Sequence, residues 1–152
     1  MHTTTHFELT VHASLADAAP LFGPQGERPW AGKHWDPQFI HPRPVHDEAG
    51  AVFTVKHGLY SAVWVITEFD VAARHFQYAY FIADLMVTTI DVRFTPLDRT
   101  TTRVNVVYTR TAVTPAGNDH VAAMTNDDKG AGKEWQEAID RYLTARKPEA
   151  RP

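Results

Sequence analysis

Between Ala51 and Val113 apolar and polar residues alternate through four or five strand-length runs with almost no break, and one long amphipathic segment, Pro115 to Arg146, follows them. An earlier run has the same period: Phe7, Leu9 and Val11 alternate with His6, Glu8, Thr10 and His12, which puts one face on a core and the other in water. Ser14 opens Ser-Leu-Ala-Asp, where the hydroxyl caps free amides and Asp17 sits at the positive end of a helix dipole. A short helix is expected to Phe22, broken near Pro20, because an interior proline loses a hydrogen bond and clashes with the preceding turn. Gly23 to Pro44 is dense in glycine and proline and carries Trp30 and Trp35, read as packing anchors beside a cavity mouth. It predicts a second short helix, a turn, and a brief strand at Gln38 to His41.

The inward faces follow from the alternation. Phe53, Val55 and His57 form one set; Phe76, Tyr78, Tyr80 and Ile82, extended by Asp84, form another; Thr88, Ile90, Val92 and Phe94 a third; Val104, Val106 and Tyr108, extended by Arg110, a fourth. Ser61 to Phe69 is apolar on both faces, so its register depends on whether the preceding hairpin loop has two or three residues. The favoured register turns Trp64, Ile66 and Glu68 inward. One covered and one solvated face mark an antiparallel sheet. The cover is the last helix, where Val121, Met124, Asp128, Ala131, Trp135, Ile139 and Tyr142 form one stripe. Gly130 and Gly132 each cost about 1 kcal/mol relative to alanine in a helix interior, which predicts a lid weakest at its middle and able to gate. The expected fold class is α+β: a curved antiparallel sheet of six to seven strands, two short helices after strand 1, and a long C-terminal helix across the concave face. Such an arrangement is a container.

The chain has 152 residues, enough for one domain, 1–152, that buries roughly 68 to 70% of its unfolded surface without a staple. The stretch 147–152 is expected to be a flexible tail. Eighteen acidic against fifteen basic residues leave a charge of -3, which offers nothing to phosphate backbones or anionic lipid, so neither nucleic acid nor a membrane is an expected partner. Zero cysteines remove disulfides, thiolate ligands and thiol nucleophiles. MHTTTHFELT lacks the basic end and apolar stretch of a secretory signal, and no apolar run approaches the ~20 residues of a membrane span; the expected location is the cytoplasm.

Candidate chemistry is sparse. His34, His41 and His46 lie in a proline-rich loop without the helical spacing that presets a zinc site, and neither a metal nor a cofactor is expected. Ser14 and Ser61 have no evident base or oxyanion site. His57, last on the inward face of its strand, reads either as a rim histidine or as a general base near neutral pH. Asp128, beside Asp127 and Lys129, reads either as part of a solvated stretch at a helix break or as a cavity carboxyl whose burial makes it a proton donor or ligand contact. Glu68 and Asp84 extend apolar rows, as does Arg110, which if inward must be answered by a carboxylate of the chain or of a ligand. Tyr78, Tyr80 and Tyr108 combine broad rings with one orienting hydroxyl. The expected ligand contacts are Trp64, Tyr78, Tyr80, Tyr108, Arg110, Met124, Asp128 and Trp135, with His57 and Asp128 the candidate catalytic groups.

The element order, together with PLFGPQGERPWAGKHWDP (Pro20 to Pro37), VYTRTAVTPAGN (Val107 to Asn118) and the terminal EWQEAIDRYL, resembles the START-related SRPBCC superfamily, and within it bacterial members of the polyketide cyclase-like group. The resemblance spans nearly the whole chain and implies a helix-grip fold. The superfamily includes lipid carriers, plant hormone receptors, polyketide aromatases and cyclases, oxygenase domains and chaperone activators, and fold does not choose among them. No histidine and cysteine set for an iron–sulfur cluster is present, and no family catalytic motif maps onto the chain. The favoured reading is a carrier or sensor for a small hydrophobic or amphipathic molecule. The alternatives are a cofactor-free enzyme of the cyclase or dehydratase kind and an interaction module with a filled core and an exposed apolar patch. A homodimer is left open.

Overall fold

The computed structural model describes residues 1–146; the tail expected at 147–152 lies outside the described residues. Seven antiparallel strands form one sheet in the order β1-β7-β6-β5-β4-β3-β2. They are β1 (His2–Val11), β2 (Gln38–His41), β3 (Val52–His57), β4 (Tyr60–Asp70), β5 (His75–Ile82), β6 (Met86–Asp98) and β7 (Thr101–Ala112). The helix α2 (Gly117–Arg146) follows β7. No helix of the described residues is long and apolar enough to cross a membrane.

The predicted break at Pro20 divides the first helical stretch into α1 (Leu15–Ala18), where Ser14 Oγ accepts from the Asp17 amide at 3.3 Å, and a 3₁₀ turn (Ala19–Phe22). The second helix expected beyond Gly23 does not form. Pro24, Pro29 and Pro37 interrupt amide donation there, and the chain instead makes successive turns, with the Glu27 amide on Gly23 O at 2.9 Å and the Ala31 amide on Glu27 O at 2.8 Å. Two indoles secure these turns by donating to backbone carbonyls: Trp30 to Leu21 at 2.8 Å and Trp35 to Pro24 at 2.9 Å.

The hairpin between β3 and β4 has a loop of two residues, Gly58 and Leu59, with His57 opposite Tyr60. Gly58 adopts φ 60°, a conformation that glycine enters without steric cost and that tight hairpins of this length require. The loop length sets the register, and Ala62, Trp64 and Ile66 face the core. The row does not continue to Glu68. An irregularity between Ile66 and Glu68 shifts the pairing, so that Phe69 stacks on Phe76 at 3.8 Å while Glu68 pairs with His75 Nδ1 at 2.7 Å. Asp84 also leaves its predicted row: it sits exposed in the β5–β6 turn at φ 65°. On the far side of the sheet Val63, Phe81 and Val87 form one cross-strand row, exposed at 38%, 46% and 40%.

Helix α2 is fastened along β1. Phe7 meets Trp135 edge to face at 5.0 Å, the Thr10 amide donates to Gln136 Oε1 at 3.0 Å, and Thr3 shares a 2.8 Å hydroxyl contact with Thr125. Gly132 lies so close to this strand that an added Cβ would stand 2.9 Å from Glu8 O, whereas a Cβ at Gly130 would meet only the flexible end of Glu134 at 3.4 Å. The two glycines expected to soften the lid thus differ: Gly132 is a close-packing residue, and only Gly130 is free of that constraint.

Candidate functional site

Fastened at one edge of the sheet, α2 leaves a cavity of about 690 Å³ over the concave face of the central strands. The turns after Gly23 close its side. All four tryptophans of the chain line it: Trp30 and Trp35 from the turns, Trp64 from β4 and Trp135 from α2. Tryptophan supplies area, and here that area walls a cavity as well as a core. Trp64 stacks between Phe53 at 5.6 Å and Tyr80 at 4.4 Å, with Trp35 edge-on at 5.4 Å; Trp30 meets Trp135 at 5.6 Å and Phe22 at 5.9 Å. Such pairs hold rings in fixed planes, each contributing about 0.5–1.5 kcal/mol beyond area burial.

The strand register places the polar groups. Trp64, Tyr80, Thr88 and Arg110 are direct neighbours across β4, β5, β6 and β7 and so form one row. Arg110 is 3% exposed and is answered by Asp128, 8% exposed, through a two-pronged pair in which Nη2 donates to Oδ1 at 3.0 Å and Nη1 donates to Oδ2. Thr5 Oγ1 donates to the same Oδ2. The carboxylate that the inward arginine demanded is therefore part of the chain. Burial works to lower the Arg110 pKa, but the hydrogen bonds and charge of Asp128 outweigh it and the net direction is up. Arg110 also lies 4.5 Å over the Tyr108 ring.

Seven of the eight expected ligand contacts line the cavity: Trp64, Tyr78, Tyr80, Tyr108, Arg110, Met124 and Trp135. Asp128 does not. Its two oxygens are engaged by Arg110 and Thr5, which removes the free cavity carboxyl expected of it and leaves it to fix the guanidinium. His57 does line the cavity, its ring parallel to Tyr80 at 5.7 Å and its Nε2 buried without a partner among the described residues. Burial first, then the neighbouring His34 and His120, lower its pKa, which favours neutral imidazole. Trp64 Nε1, Thr88 Oγ1 and Arg110 Nε are likewise buried and unpartnered among the described residues. All four atoms belong to, or stack on, the row through Tyr80, and an unmet buried polar group costs about 1–3 kcal/mol.

The three tyrosines differ in use. Tyr78 donates to Phe22 O and so ties β5 to the 3₁₀ turn, while the Tyr80 hydroxyl faces the Met124 sulfur at 3.9 Å and lies beside Thr88 and Arg110. Burial pushes all three phenols up, those of Tyr78 and Tyr108 furthest. In the cases of Tyr78 and Tyr108, the charge of Glu27 pushes in the same direction. Glu27 is a residue the sequence reading missed. A half-buried residue, it lines the cavity wall in the turns after Gly23, and its pKa is raised well above the ordinary value, by the enclosure of its carboxyl first and then by Asp47. No hydrogen bond or cation among the described residues offsets these effects. Asp47 itself holds the turns in place, accepting the amides of Gln25 at 3.0 Å and Gly26 at 3.2 Å. No periodicity marks Glu27; a glutamate among glycines and prolines reads as solvated, and the only signal was Trp30 one turn away. Ala138 and the rim residues Lys56, Glu134 and Arg141 were also unassigned. Among the described residues no three His, Asp or Glu side chains meet in a way that could hold a metal.

No family model and no curated protein matches the chain in sequence. Solved structures match it along nearly its whole length. Ara h 8.0201 aligns with TM-score 0.68 and 17% identity over 96% of this chain and 100% of its own. Norcoclaurine synthase from Thalictrum flavum, in complex with dopamine and hydroxybenzaldehyde, aligns with TM-score 0.66 and 13% identity over 98% of this chain and 90% of its own. A protein from Thermobifida fusca aligns with TM-score 0.62 and 19% identity over 94% and 95%. At such identities the likeness speaks for architecture, and the protein has a helix-grip fold of the Bet v 1 and SRPBCC type.

Proposed function

We propose that the protein binds a small, largely apolar molecule in the cavity between sheet and α2, as a carrier or sensor working in the cytoplasm. The observation that carries the reading is the wall itself: a cavity of about 690 Å³ lined by all four tryptophans and by Tyr78, Tyr80 and Tyr108. Ligand sites run to about 300–1,000 Å³, mostly apolar and aromatic, with a few fixed polar groups that orient the guest. Arg110, held by Asp128, and the row through Tyr80 supply such groups. Support also comes from the neighbour of like fold that holds two small aromatic molecules, dopamine and hydroxybenzaldehyde.

Native mass spectrometry tests this reading. The freshly purified protein is expected to carry an extra mass that organic solvent removes, or, once stripped, to take up one equivalent of the neutral dye N-phenyl-1-naphthylamine. A folded protein that neither carries a guest nor takes up the dye would overturn it.

One observation favours a second reading, proton-transfer chemistry of the cyclase kind. His57 faces the cavity with its pKa lowered, burial being the first cause, and with Nε2 unpartnered among the described residues, which suits a general base. This reading needs turnover of a reactive carbonyl compound that is lost in His57→Gln while binding is kept.

A further inference from the structure

We infer that the cavity selects an organic amine, with the Glu27 carboxylate as counter-ion to the ligand's ammonium group and the rings of Trp30, Trp135 and Phe22 beside it as an aromatic wall. The inference rests on the proposed binding function and names the ligand class.

Three observations carry it. Glu27 is a carboxyl on the wall of an aromatic cavity, and neither a cation nor a hydrogen-bond donor among the described residues is set against it. The buried cation of the same cavity, Arg110, is already held on both prongs by Asp128. Lys56, Glu134 and Arg141 stand exposed at the rim, so below the rim the charged group left unanswered among the described residues is the acidic Glu27. Phe22, Trp30 and Trp135 lie in mutual contact at 5.6 to 6.4 Å, with Trp30 one turn after Glu27 and the Trp30 amide donating to Glu27 O at 3.1 Å. Aromatic faces attract ammonium groups through the ring quadrupole, and a carboxylate adds the charge. A metal ion is a poorer fit, because no three His, Asp or Glu side chains meet around Glu27 in a way that could hold one among the described residues.

The same geometry couples binding to a proton. In the free protein Asp47 from the segment before β3 adds to burial in raising the Glu27 pKa, with Tyr78 on β5 and Tyr108 on β7 also facing it and Glu134 and Arg141 of α2 at the cavity rim. An arriving ammonium favours the carboxylate and opposes that rise, so whatever proton Glu27 holds at the working pH leaves to solvent while the amine keeps its own.

Tryptamine and its alcohol counterpart tryptophol share one indole body and differ in the terminal group, so calorimetric titration of both tests the inference. In buffers of different ionisation heat near neutral pH, tryptamine is expected to bind at least tenfold more tightly than tryptophol and to release up to one proton. E27Q, shown to be folded by its cooperative thermal unfolding, is expected to lose both the preference and the proton release. Tryptophol binding as tightly as tryptamine to the wild type, or a preference that survives in E27Q, would overturn the inference, as would dye binding with no binding of either indole. If N-phenyl-1-naphthylamine also fails to bind, the cavity-binding reading itself falls.

Discussion

Replacing Asp128 with alanine isolates the buried ion pair on which the cavity's polar end depends. Arg110 and Asp128 have side chains only 4% and 9% exposed, and the carboxylate accepts two guanidinium bonds and one from Thr5. Removing it strands a buried cation with Nε already unpartnered among the described residues, and three hydrogen bonds vanish. Breaking a buried pair by deleting one partner costs about 3–5 kcal/mol, a large share of the roughly 5–15 kcal/mol that separates folded from unfolded states. With a urea slope of about 1–3 kcal/mol per molar, the midpoint should fall by about 2 M. Equilibrium urea unfolding followed by tryptophan fluorescence measures this directly. The double change Arg110→Met with Asp128→Leu removes both charges and should recover most of the loss. A loss below about 1 kcal/mol in Asp128→Ala, or a double variant no better than the single one, would show that the pair is solvated and that Arg110 is not an inward residue.

Three further outcomes follow from the geometry. Gly130→Ala should stabilise the protein by up to about 1 kcal/mol, while Gly132→Ala should destabilise it by about 1–3 kcal/mol as α2 is forced off β1; thermal unfolding of the two separates propensity from close packing. Tyr80→Phe and Tyr108→Phe should change affinity for a hydroxylated aromatic probe with little change in stability, whereas Tyr78→Phe should cost about 1–3 kcal/mol because Phe22 O loses its buried donor; unaltered affinity in the first two would remove them from the site. Glu27, whose folded pKa is raised, contributes a penalty that is absent below the ordinary glutamate value of 4.5 and grows as pH rises through that value toward the folded one, because the folded state then binds more protons than the unfolded. Unfolding midpoints of Glu27→Gln should accordingly fall less steeply than wild type above pH 4.5, and parallel curves would contradict the burial of this carboxyl.

Strand alternation made most of the fold legible, since a period of two assigns every inward residue once one is known, and it found Arg110 because a charge stood where an apolar side chain was due. The helix stripe found Asp128 by the same kind of interruption, but a stripe does not say whether a charge faces a ligand or a partner side chain. That required the distance between α2 and β7. Glu68 was misassigned because the irregularity after Ile66 leaves no trace in the alternation of apolar residues. Glu27 was invisible for another reason: turns have no period, so nothing in the segment from Gly23 to Trp35 distinguishes a residue facing the cavity from one facing water. Gly132 resembled Gly130 in sequence, and only the approach of the Glu8 carbonyl separates a packing glycine from a flexible one.

The most direct test of the cavity as a binding site is the set of indole N–H signals in a nitrogen-15 correlation spectrum during titration with N-phenyl-1-naphthylamine. All four tryptophans line the cavity, so the four signals are expected to shift or broaden together and to saturate at one equivalent. Indole signals that stay fixed while amides of Val63, Phe81 and Val87 on the opposite face move would contradict the account and make the outer surface of the sheet the place where this protein meets its partners.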